Sequence, residues 1–68
     1  MLIIYTKDGC SQCTIVKNYL KNKSIEYKEV IVSEEEIEDF ARETEMKAFP
    51  VTEYEGLFLT SKEVFERF

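Results

Sequence analysis

Histidine and tryptophan are missing from these 68 residues, proline occurs once, and glycine and cysteine occur twice each. Each scarcity excludes something. A closed structural zinc site takes four cysteine or histidine ligands, and two cysteines without a histidine do not supply them from one chain. With so little proline and glycine, and with 44% hydrophobic and 34% charged residues, the composition is that of an ordered domain, not a disordered tract. No apolar run approaches the roughly 20 residues needed to span a bilayer. Met1-Leu2-Ile3-Ile4 reads as a strand and not as a signal peptide. The expected setting is the cytoplasm. Lysine and arginine number 9 against 14 acidic residues, for a formal net charge of -5, and no basic cluster is present. Nucleic acid and anionic membranes are therefore not expected partners. Much of the acidity sits in Glu34, Glu35, Glu36, Glu38 and Asp39, and reads as a solvated helix N-terminus favoured by the helix dipole. Residues 1–68 are expected to form one domain, of a size that buries only about 60% of its unfolded surface and so has a thin core.

What is present is Cys10-Ser11-Gln12-Cys13, which holds both cysteines and lies between the apolar run Leu2 to Tyr5 and an amphipathic stretch. The opening turn of a helix carries unpaired N–H groups and partial positive charge, and so favours an anion. A cysteine placed there ionises more readily than a free thiol, whose pKa lies near about 8.5. Cys13, three residues on and almost one turn round, is placed to attack a mixed disulfide formed at Cys10 and release the reduced substrate. Two other readings of the pair stand beside this one. Zinc would need ligands from a second chain. A purely structural disulfide would close so short a loop that it removes little chain entropy.

Leu2 to Tyr5 is apolar without alternation, as expected of a central strand covered on both faces. From Thr14 onward, Ile15, Val16, Tyr19 and Leu20 recur at helical spacing, with Lys17 and Lys21 on the solvent side. This helix is expected to end near Asn22 to Ser24. A second strand follows at about Glu26 to Val32, parallel to the first through a right-handed crossover. Ser33 and Glu36 have the spacing of a capping box opening a second helix, with Ile37, Phe40, Ala41 and Thr44 on one face and an end around Glu45 to Lys47. After Phe49-Pro50, Val51 to Tyr54 and Leu57 to Leu59 read as a hairpin turning at Glu55-Gly56. Thr60-Ser61-Lys62-Glu63 is a second capping-box pattern, and begins a last helix whose Val64, Phe65 and Phe68 face the sheet. The order is βαβαββα.

Strand, Cys-X-X-Cys, helix, and a later proline before a hairpin together resemble the thioredoxin superfamily, and the brevity of the chain resembles its glutaredoxin branch. Ile4-Tyr5-Thr6-Lys7 ahead of Cys10-Ser11-Gln12-Cys13 is most similar to the glutaredoxin-like NrdH-redoxins, which carry glutamine before the second cysteine. The resemblance implies an α/β, thioredoxin-like fold with a four-stranded mixed sheet flanked by helices. It also implies a thiol-disulfide oxidoreductase with Cys10 and Cys13 as its catalytic pair, with no bound cofactor or metal. Pro50 matches the family's cis-proline beside the dithiol, and Phe49 the residue whose backbone pairs with an extended substrate. A proline there lacks an N–H and leaves an edge where a partner strand can dock.

The NrdH likeness implies a thioredoxin-reductase-type electron donor and delivery to ribonucleotide reductase, whereas the broader glutaredoxin likeness implies glutathione. Glutathione-using members usually show a Gly-Gly pair and acidic residues where this chain has Thr60-Ser61-Lys62-Glu63. Thr60 and Ser61 remain candidate glutathione ligands at a helix N-terminus, although capping alone accounts for Thr60. The Trp-Ser-Gly-Phe-Arg-Pro pattern of NrdH-redoxins is absent. Lys7 and Gln12 complete the candidate substrate contacts, with Asp8 partly cancelling the field of Lys7. The expected partners are protein disulfides and a reductant, met by a monomer. The alternative from another class is a non-catalytic module whose dithiol senses redox state.

Overall fold

The computed structural model describes residues 2–46 and 48–68, in the order β1 (Leu2–Thr6), α1 (Ser11–Asn22), β2 (Tyr27–Ile31), α2 (Ile37–Thr44), β3 (Val51–Tyr54), β4 (Leu57–Leu59) and α3 (Ser61–Arg67). Met1 and Lys47, at the expected first strand and second helix end, lie outside the described residues. The strands form one mixed sheet in the order β2-β1-β3-β4. β1 runs parallel to β2, with Ile4 opposite Glu29, and antiparallel to β3, with Ile4 opposite Thr52. β1 is therefore internal, as its unbroken apolar run requires.

Side chains alternate across a strand, so Leu2, Ile4 and Thr6 share one face of β1 while Ile3 and Tyr5 share the other. The first face carries the main core, in which Leu2 and Ile4 meet Val16 and Leu20 of α1, Val64 of α3 and Leu59 of β4. Truncating one of these fully buried aliphatics to alanine costs about 2–5 kcal/mol. On the second face Tyr5 stacks on Phe40 of α2, with ring centroids 4.8 Å apart, and Phe40 continues to Phe49 at 5.4 Å. The helices thus lie on both faces, α1 and α3 on one and α2 on the other.

Local chemistry ends the elements where it should. After α1, Ser24 takes a positive φ of 59° while the Ser24 N–H donates to the Lys21 carbonyl and the Ile25 N–H to that of Leu20, which is the Schellman arrangement. Ile25 then packs against the core that contains Leu20. At α3 the expected capping box is complete: the Glu63 N–H donates to Thr60 Oγ1, and the Thr60 N–H donates to the Glu63 carboxylate. Between β3 and β4, Glu55 and Gly56 both take positive φ, 50° and 82°, as a two-residue hairpin of type I′ requires.

Three expectations are corrected. Ile15 is 53% exposed and Phe65 37% exposed. The buried stripe of α1 is Cys13, Val16 and Leu20, and that of α3 is Val64 alone. The sheet is too narrow to cover more than the centre of each apolar arc. Ser33 does not cap α2: its hydroxyl donates to the Glu36 carboxylate at 2.7 Å and its carbonyl accepts from the Glu36 N–H, closing a turn. α2 then starts at Ile37, with Glu36 as its N-cap residue and no side-chain cap bond.

Candidate functional site

Cys10 and Cys13 are joined in a disulfide, their Cα atoms 5.3 Å apart. Helix α1 begins at Ser11, and this makes Cys10 its N-cap. Cys10 has extended dihedrals, and its sulfur accepts the Cys13 N–H at 3.1 Å. A sulfur thus occupies the place where serine or aspartate oxygens ordinarily sit, at the positive end of the helix. The two cysteines are unequal. Cys13 is 2% exposed and packs with Val32 and Phe49, whereas Cys10 is partly open to solvent.

Phe49-Pro50 is a cis peptide, and both residues are buried. The Phe49 carbonyl oxygen lies 3.8 Å from Cys10 Sγ, which brings the proline turn against the sulfurs across 39 residues of sequence. Lys7 is exposed, with its ammonium 5.7 Å from the centre of the Phe49 ring. Gln12 is exposed on the first turn of α1. Thr60 and Ser61 follow directly after the Thr52–Leu59 pairing, at the end of the sheet where Pro50 also lies. The Thr60 N–H and hydroxyl are both spent on Glu63. The structure therefore gathers Cys10, Cys13, Phe49, Pro50 and Lys7 into one constellation, while Thr60 is committed to its own helix.

Three residues that sequence reasoning left aside also border the sulfurs. A cavity of about 450 Å³ beside the disulfide is lined by Cys10 and Cys13 together with Thr6, Lys17 and Glu29. Lys17 Nζ lies 3.0 Å from Glu29 Oε2, and the same oxygen accepts the Thr6 hydroxyl at 2.8 Å. These two bonds, Lys17 first, hold the Glu29 carboxyl below its ordinary pKa of 4.5. The available signal was the spacing of Lys17, four residues and one turn beyond Cys13. On the other face Tyr5 donates to Glu53 Oε1 at 2.8 Å. Burial, then the Glu53 carboxylate, raise the Tyr5 phenol above its ordinary 10.0. Among the described residues, no helix is long and apolar enough to cross a membrane.

The glutaredoxin family model matches residues 2–58. An N-acetyl-S-hydroxy-L-cysteine reductase of Bacillus subtilis (strain 168) is 43% identical over 35 residues, which make up 52% of this chain and 38% of that protein. Among solved structures, a thioredoxin-like protein superposes with a TM-score of 0.76 at 20% identity, over 97% of both chains. A glutathione S-transferase from Necator americanus superposes with a TM-score of 0.76 at 22% identity, over 93% of this chain and 31% of the transferase. The chain thus spans less than two fifths of the reductase and about a third of the transferase. At these identities the structural likenesses establish a thioredoxin-like fold.

Proposed function

This chain belongs to the glutaredoxin family, and we propose that it is a thiol-disulfide oxidoreductase in which Cys10 attacks and Cys13 resolves. The observation that carries the reading is the asymmetry of the pair: Cys10 Sγ caps α1 and accepts the Cys13 N–H, while Cys13 is buried behind it. The Cys13 N–H already aimed at Cys10 Sγ, at the positive end of α1, favours its thiolate over its thiol. That thiolate attacks a substrate disulfide, one substrate sulfur leaves as a thiol, and the Cys13 thiolate then displaces the other from Cys10. The substrate gains two electrons and the protein ends with the Cys10–Cys13 bond. Phe49 and the cis Pro50 supply the adjoining backbone edge for an extended partner. Cys10→Ser is expected to abolish reduction of a model disulfide and Cys13→Ser to trap mixed disulfides. Full turnover by the Cys10 variant would refute the assignment.

For the electron donor we favour a flavoprotein of the thioredoxin-reductase type, with protein disulfides, that of ribonucleotide reductase among them, as acceptors in the cytoplasm. The support is that α3 lacks the Gly-Gly start of glutathione users and that the Thr60 N–H is occupied by Glu63. Oxidised protein given either glutathione with glutathione reductase, or NADPH with thioredoxin reductase, is expected to recover its two thiols faster in the second mixture. Faster recovery with glutathione would reverse the choice.

A second reading rests on the relative named for reduction of N-acetyl-S-hydroxy-L-cysteine. The same dithiol suits a small sulfenic acid: Cys10 displaces hydroxide, which leaves as water, and Cys13 then frees the thiol with formation of the disulfide. Stoichiometric loss of two protein thiols per sulfenic acid reduced is the expected result. Unchanged thiol content would exclude this substrate class.

A further inference from the structure

The exchange reading leaves one step without a partner. Before Cys13 attacks Cys10 in a mixed disulfide, its sulfur must lose a proton, yet Cys13 is 2% exposed and sits among Val32 and Phe49. Apolar burial raises a thiol's pKa, and the Cys13 N–H at the start of α1 points to Cys10 Sγ. Among the described residues, the charged groups that line the cavity with the two sulfurs are Lys7 and Asp8 from the loop before α1, Lys17 from α1, and Glu29 from β2. On the remaining side Val32 and Phe49 carry no charge, and the titratable group that packs on their cluster is Tyr5, whose hydroxyl donates to Glu53. Lys17 is the cation one helical turn from Cys13 and on the same helix face.

A lysine stem is flexible and usually carries its ammonium out to water. Here it is held. Glu29 Oε2 binds Lys17 Nζ at 3.0 Å and is itself fixed by the hydroxyl of Thr6, a buried residue at the end of β1. We propose that Lys17, held in the cavity by Glu29 and Thr6, is a positioning residue whose ammonium sets the ionisation of the resolving thiol Cys13. The inference rests on the exchange mechanism proposed above. As the Cys13 proton passes to cavity water, the new thiolate finds a fixed positive charge nearby. It then forms the bond to Cys10 Sγ, the bond from Cys10 to the substrate sulfur breaks, and that sulfur leaves as a thiolate that takes a proton from water. Glu29 moderates the field while keeping its source in place.

The test mixes the reduced 68-residue chain with an aromatic disulfide whose released thiolate is coloured. A first burst reports attack by Cys10 and a second reports resolution by Cys13. The pH midpoint of the second burst is the readout. Lys17→Met is expected to raise that midpoint by about half a pH unit, as a charge some way off in a partly wet cavity allows. Below the midpoint the rate falls only about two-fold, because a more basic thiolate is also more nucleophilic. Glu29→Gln keeps a side-chain oxygen that can accept from Lys17 and Thr6 and so retains the hold, while its negative charge is removed; it is expected to leave the midpoint in place or lower it. An unmoved or lowered midpoint in Lys17→Met, or a raised one in Glu29→Gln, overturns the proposal. A merely structural role would shift the melting temperature without moving the midpoint, and so also overturns it. Absence of the second burst in the unsubstituted chain would instead overturn the exchange mechanism itself.

Discussion

Thr52 is 1% exposed, and its hydroxyl is a buried side-chain oxygen without a hydrogen-bond partner among the described residues. It lies on β3 between Ile4 and Leu59, both within the apolar core. A buried unpaired hydroxyl costs about 1–3 kcal/mol in lost hydration, and a methyl in its place adds about 0.8 kcal/mol of apolar burial. Thr52→Val keeps the β-branched shape and the strand propensity, so little offsets those gains. Allowing for imperfect fit of the methyl, the variant is expected to gain about 1–2 kcal/mol. For a domain of this size each kcal/mol moves the melting temperature by about 4–8 °C. Thermal and urea unfolding, both followed with the cysteines kept oxidised, measure it. Thr52→Ala serves as the control: it also removes the hydroxyl but opens a small void, and should gain less than valine. A Thr52→Val protein no more stable than the parent would mean that the hydroxyl is bonded in solution, and the reasoning would fail.

Other outcomes follow from the same local physics. Glu55→Asn replaces a residue held at a φ of 50° by one that tolerates the left-handed region, and should stabilise the hairpin by about 0.5–1 kcal/mol in urea unfolding. Thr60→Ala removes the hydroxyl that caps α3 and should cost about 1 kcal/mol by the same measurement. The Glu29 pKa is depressed in the fold, so the stability it contributes is present above its unfolded value near 4.5 and is lost as pH falls through the lower folded value. The stability difference between parent and Glu29→Gln should therefore be constant near neutrality and vanish in acid, and a difference that persists in acid would exclude this origin.

Much of the architecture was legible because it is written locally. A β1 without alternation must be covered on both faces, and β1 is internal. Thr60 and Glu63 satisfy each other within one turn, and the Glu55-Gly56 hairpin needs only its own dihedrals. Periodicity, by contrast, marks an apolar arc without saying how wide a surface lies opposite. Ile15 and Phe65 therefore fall beyond the rim of a four-stranded sheet. The Ser33 and Glu36 spacing suits either a cap or a turn, and here the hydroxyl prefers the carboxylate to a backbone N–H.

By itself the sequence determined the chemistry on offer, two cysteines at a strand-to-helix junction, because thiol reactivity and helix polarity act over a few residues. Only the tertiary structure decided the surroundings of that chemistry. It set Phe49-Pro50 against Cys10 and buried Cys13. It also brought Lys17, Glu29 and Thr6 to one cavity from three different elements. Such contacts depend on how the crossover lays α1 on the sheet, and that geometry comes from packing a whole core, which no short stretch of sequence encodes.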